Sequence, residues 1–139
     1  MSEPVSRSVE DHAVETQPIE LAIPADLVEA DPTPGVTRMR AFHTSAMWAG
    51  LGHTEPGAES GWHHHGDHET LLYQVSGRMR LESGPGGRDV VESRPGDFVL
   101  VPAHTVHRES NPGGEVSTVV VARAGTGVVT VNVAGPDPN

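Results

Sequence analysis

Gly57-Ala-Glu-Ser-Gly-Trp-His63-His64-His65-Gly-Asp-His68-Glu69-Thr70-Leu-Leu-Tyr73-Gln-Val-Ser-Gly77 places four of the chain's nine histidines within six residues. A second stretch answers it: Gly96-Asp-Phe-Val-Leu-Val-Pro102-Ala-His104-Thr-Val-His107-Arg-Glu-Ser-Asn111. In a β-strand alternate side chains share a face. His63 and His65 are therefore expected to project together, with His64 pointing away. Imidazole ligates most first-row transition metals. Two imidazoles from one strand and a third from a distant strand make one face of a coordination shell. The remaining positions stay open, as in a catalytic site and unlike a closed structural one.

The surrounding sequence is that of a small β-barrel. Short apolar runs alternate with Gly/Pro turns: Val36 to His43, Ala46 to Leu51, Leu71 to Val75, Arg88 to Glu92, Phe98 to Val101, Val116 to Ala122 and Val128 to Val133. This rhythm predicts an all-β sandwich or barrel, not a parallel α/β sheet. Gly50, Gly52 and Gly57 suggest bends, and Ser76-Gly77 reads as a two-residue hairpin turn. Arg78-Met79-Arg80-Leu81 alternates strictly, with the arginines on one face. Trp48, Trp62, Tyr73 and Phe98 are expected in the core or the barrel wall. Upstream, Ile19 to Ile23 alternates like a short edge strand, and Pro24 opens one or two helical turns before Asp31-Pro-Thr-Pro-Gly35. We divide the chain into a polar arm (1–17), a lead-in (18–35), a barrel (36–134) and a tail (135–139).

Composition narrows the chemistry. A chain of 139 residues suits one domain. The net charge of −10 argues against a nucleic-acid surface. There is no cysteine, so disulfides, thiolate metal sites and a cysteine nucleophile are excluded. All nine basic residues are arginine, which excludes a lysine Schiff base. No apolar run reaches the ~18 residues of a membrane span. The N-terminal Met-Ser-Glu-Pro-Val-Ser-Arg lacks a signal-peptide core, so a cytoplasmic protein is expected.

The two histidine stretches resemble the two motifs of the cupin superfamily. Gly57, His63, His65, Glu69 and Gly77 follow the first; Gly96, Pro102, His107 and Asn111 follow the second. The resemblance spans roughly residues 36–134. It implies a double-stranded β-helix with one divalent transition metal (Fe, Zn, Ni or Mn) in its mouth, a small-molecule substrate or ligand, and a homodimer. Carried onto this sequence it names His63, His65, Glu69 and His107 as metal ligands. Glu69 is one residue out of register with Gly77, whose spacing points to Thr70 instead. Either a bulge near Asp67-His68 brings Glu69 inward, or Thr70 faces the metal. His104 stands where the family usually has glycine, and with Glu69 it is a candidate catalytic group. Three functions follow as expectations: a metalloenzyme, dioxygenase-like or a Lewis-acid isomerase or lyase; a non-catalytic metal- or small-molecule-binding module; and a metal-free epimerase-like cupin with a histidine base.

Overall fold

The computed structural model describes residues 16–138. Most of the arm, including His12, and the last tail residue lie outside the described residues. Eleven strands run in chain order: β1 (Val28–Glu29), β2 (Thr37–His43), β3 (Met47–Thr54), β4 (His63–His64), β5 (Glu69–Ser76), β6 (Met79–Ser83), β7 (Asp89–Ser93), β8 (Phe98–Val101), β9 (His107–Ser110), β10 (Ser117–Ala124) and β11 (Val131–Asn132). They form two antiparallel sheets, ordered β1-β2-β3-β10-β5-β8 and β11-β4-β9-β6-β7. The fold is the all-β double-stranded β-helix expected from the sequence. The described helical structure is two short 3-10 turns, Pro24–Asp26 and Pro85–Gly87.

Alternation sets which residues face inward. Along β3, β5 and β10 every second residue is buried. Trp48, Leu72, Val101, Val119 and Val121 of one sheet meet Met79 and Leu81 of the other, and Val129 completes the core. Each such side chain contributes roughly 1.5–3 kcal/mol by leaving water. In β6 Met79 and Leu81 are buried while Arg80 reaches outward to Glu82 and Glu92.

Several local expectations are revised. Ser76-Gly77 is not a hairpin, because β5 and β6 belong to different sheets. Gly77, at φ +72°, carries the chain from one sheet to the other, and a Cβ there would lie 2.5 Å from the Val116 carbonyl oxygen. Gly50 does not bend the chain but lies within β3. Its missing side chain admits Met39, whose carbonyl oxygen would sit 2.1 Å from a Cβ, beside a register shift between Arg40 and Phe42. Ile19 to Ile23 forms no strand, with Ile19 and Leu21 almost wholly exposed. Trp48 is core, but Phe98 is 68% exposed. It joins Leu71, Val75, Leu100 and Val120 on an apolar outer face of β8, β5 and β10.

Candidate metal centre

β4 and β9 are neighbours in the five-stranded sheet, with His63 directly opposite His107. His65 follows two residues after His63 and returns to the same side. The three rings are buried, with centroids 5.0 Å (His63–His65), 4.3 Å (His63–His107) and 5.1 Å (His65–His107) apart. One ring nitrogen from each lies within 4.8 Å of the others.

The backbone fixes how these rings are used. His63 Nδ1 donates to the Gly61 carbonyl, His65 Nδ1 to that of Val129 and His107 Nδ1 to that of Thr105, each at 2.9 Å. A carbonyl only accepts, so each Nδ1 carries a proton, and in the neutral ring Nε2 is the nitrogen that keeps a lone pair. Val129 comes from the segment before β11, which pairs with β4 through Asn132 opposite His63 and Val131 opposite His64. The C-terminal strand thus holds the histidine strand in place. His107 Nε2 has no hydrogen-bond partner although it is buried.

Glu109 completes the cluster, and the sequence reading overlooked it. It lies two residues beyond His107 on β9 and so faces the same way. That is the parity that paired His63 with His65, and it was available in the sequence. Its Oε2 is 3.6 Å from His63 Nε2 and 3.5 Å from His107 Nε2. Burial pushes the His63 and His65 pKa values down; for His65 the charges of Arg123, His107, His63 and Arg38 add to it. Burial acts to raise the Glu109 carboxyl, but contacts with His107 and His63 hold it well below the usual range. The three Nε2 atoms and the Glu109 carboxylate therefore face one another across a buried space. Such a donor set fits a divalent cation, and the orphaned Nε2 of His107 is what an absent ligand bond leaves behind.

The other predicted site residues lie elsewhere. Glu69 opens β5 on its outer, exposed face, and the pairing of β5 with β10 runs without a shift from Glu69 opposite Ala124 to Gln74 opposite Val119. No bulge turns its carboxylate inward, so Glu69 is not brought to the histidines. Thr70 takes the inward position, 1% exposed, and its Oγ1 is buried without a partner. His104 adopts φ +61°, the left-handed conformation for which a glycine is the usual choice. Its Nε2 lies 2.8 Å from Asp67 Oδ1, and both side chains are largely exposed. As a catalytic candidate it is therefore not brought to the triad. His64 points away and accepts from the Gly66 amide; His68 is buried with Nδ1 3.0 Å from the His65 carbonyl.

Behind the triad stand two buried arginines. Arg38 on β2 donates through Nη1 to the Asp31 carbonyl and to Thr33 Oγ1, and its Nη2 is 3.2 Å from His63 Nε2. Arg123 on β10 stacks on Trp48, 4.8 Å from the ring centroid, and Trp48 Nε1 donates to Asp31. Burial lowers both guanidinium pKa values; the Arg38 charge helps bring Arg123 down to about 9, so it stays charged at neutral pH.

A family model described as a cupin domain matches residues 50–123, more than half of the chain. The chain belongs to the cupin family. Comparison with curated proteins gives no match. Among solved structures it is similar to KdgF from Halomonas sp., with 25% identity over 76% of this chain and 94% of that one, at a TM-score of 0.62. It is also similar to a putative sugar phosphate isomerase from Acidithiobacillus ferrooxidans, with 32% identity, 66% of this chain and 61% of that one, and a TM-score of 0.53. The polyketide cyclase RemF from Streptomyces resistomycificus shares the fold at 19% identity, covering 83% of this chain and 85% of that one, at a TM-score of 0.67. No helix among the described residues is long and apolar enough to cross a membrane.

Proposed function

We propose that this chain is a metalloenzyme acting on a small molecule at one divalent transition metal. The ligands in this reading are His63, His65 and His107, with the Glu109 carboxylate as the fourth. The observation that carries it is the convergence of three buried Nε2 lone pairs, each oriented by an Nδ1–H donated to a backbone carbonyl. A donor set of three imidazoles and one carboxylate suits Fe(II), Mn(II) or Ni(II), and zinc accepts it as well. A bound ion of this kind supplies Lewis-acid polarisation of a substrate oxygen. Isomerase or lyase chemistry is favoured by the similarity to the putative sugar phosphate isomerase from Acidithiobacillus ferrooxidans, at 32% identity over 66% of this chain.

The protein's own residues constrain the proton transfers. Glu109 Oε2, 3.6 Å and 3.5 Å from the Nε2 atoms of His63 and His107, serves in this reading as ligand and counter-charge and so is not free to act as a base. The metal-free epimerase-like reading leaves the converging lone pairs without a purpose. A homodimer is proposed through the apolar outer face of β8, β5 and β10. The test is elemental analysis of protein purified without added metal, followed by oxygen-uptake and isomerisation screens. Stoichiometric metal with turnover and no oxygen consumption supports the Lewis-acid reading. Oxygen consumption with Fe(II) would move it to a dioxygenase, metal without turnover to a binding module, and absence of metal would remove it.

A further inference from the structure

We infer that the site takes a small carboxylate, held by the guanidinium of Arg123 and by the Nη2 group of Arg38. The first observation is a pair of unmet donors. Arg123 is 2% exposed, and its Nε and Nη1 are buried with no hydrogen-bond partner. Buried polar groups in native proteins are nearly always satisfied, and this guanidinium keeps its charge at neutral pH. Its stacking on Trp48 covers a face of the guanidinium but meets none of its N–H groups.

The second observation is that neither guanidinium pairs directly with a carboxylate. Two guanidinium cations lie inside the barrel, yet Arg38 donates to neutral partners only: the Asp31 carbonyl, Thr33 Oγ1 and the His63 ring. The carboxylates that act on both are Asp31, which accepts from Trp48 Nε1, and Glu109, which faces the histidines. Asp31 and Glu109 offset both charges through space, but among the described residues neither carboxylate pairs directly with Arg38 or Arg123, and a ligand carboxylate offers the planar, charge-assisted hydrogen bonds that are missing.

The third observation concerns Arg38. His63 Nδ1 holds its proton against Gly61, so Nε2 has one lone pair, and Arg38 Nη2 lies 3.2 Å from it. That lone pair cannot serve a metal and Arg38 together. On the metalloenzyme reading, a metal held by His63 Nε2 would free Arg38 Nη2 for another partner. The Arg38 part of the inference rests on that reading; the Arg123 part does not.

The test is isothermal titration of the protein, as purified and after chelator treatment, with acetate, pyruvate and succinate and with their amides. Metal content is measured on the same samples. Binding of at least one carboxylate, ten-fold or more tighter than its amide, supports the inference. Loss of that preference in Arg123→Met, with partial recovery in Arg123→Lys and unchanged metal content, confirms the residue. Equal binding of acid and amide overturns it. So does binding of none of the six, binding of inorganic phosphate in place of the carboxylates, or unaltered carboxylate binding in Arg123→Met. If Arg123→Met does not fold, the acid–amide comparison on the unaltered protein still decides. Protein that carries no metal yet binds carboxylates through Arg123 would sink the metalloenzyme reading and leave this one standing. Metal with no acid preference would do the reverse.

Discussion

Two buried polar clusters share the barrel interior, and they differ in whether their hydrogen bonds are complete. In one, Gln74 Nε2 donates to the Ser76 carbonyl and to Ser117 Oγ, while Ser93 Oγ donates to Gln74 Oε1. Asn111 closes a neighbouring turn in the same way, donating to the Thr54 and Glu115 carbonyls and accepting from the Gly113 amide. In the other cluster His107 Nε2, Thr70 Oγ1 and two nitrogens of Arg123 have no partner. A saturated network fixes one arrangement of strands and has nothing left to bind. An unsaturated one is kept only where something else completes it. Burial alone does not separate the two; the count of unmet donors and acceptors does.

The largest effects should come from removing ligands in the unsaturated cluster. His63→Ala, His65→Ala and His107→Ala should each strip most of the bound metal, read by elemental analysis, whereas His64→Ala should not. Full metal content in any of the first three would break the assignment. Glu109→Gln should weaken metal affinity by about ten-fold or more, comparable with the loss of an important supporting group. The saturated cluster should respond in the opposite way. Gln74→Leu leaves Ser93, Ser117 and the Ser76 carbonyl short of partners. It should cost about 3 kcal/mol of stability in a denaturant titration, with metal content unchanged.

The contrast also bears on what a sequence can disclose. The histidine triad was legible because period-two spacing and motif order are local properties. Glu109 was legible by the same parity and was passed over for Glu69, the residue nearest a family pattern. Arg38 and Arg123 carried no local signal. They come within electrostatic range of each other because β2 and β10 both pair with β3, a long-range fact of topology. Ser76-Gly77 failed for a related reason: a turn signal marks where the chain changes direction, but not which sheet receives it. Gly50 read as a bend because a missing side chain looks the same in sequence whether the backbone turns or a neighbour approaches.

A pH titration sharpens the comparison at intermediate size. Burial depresses the His63 and His65 pKa values, so in the metal-free fold both rings stay neutral where the unfolded chain begins to protonate, near 6.5. Below that value the unfolded state binds more protons and stability falls with pH, by up to about 1.4 kcal/mol per pH unit for each ring. Glu109, also depressed, adds its own loss only below the ordinary glutamate pKa of about 4.3. Urea titrations of chelator-treated protein between neutrality and pH 5 should show this decline. A flat profile would mean that the rings are already protonated in the fold, and the lone-pair argument would fail with it.

The smallest effects belong to two adjacent residues on opposite faces of β5. Glu69 is exposed, forms no ion pair among the described residues, and lies on the outer surface with Met47 and Leu71. Glu69→Ala should leave metal affinity unaltered and stability within about 0.5 kcal/mol of the parent. Thr70 occupies the inward position opposite Arg123 on β10 and Val101 on β8. Thr70→Val keeps the shape and removes a hydroxyl that has no partner, so stability should hold or rise by up to about 1 kcal/mol. The two substitutions then differ in a second measurement. If the Thr70 hydroxyl completes its hydrogen bond with a ligand in the barrel, Thr70→Val should weaken carboxylate binding while Glu69→Ala does not. A drop in metal affinity for Glu69→Ala would require the β5 register to shift by one residue in solution. That shift would exchange the inner and outer faces of the whole strand, burying Leu71 and exposing Leu72, and the accompanying loss of stability would reveal it.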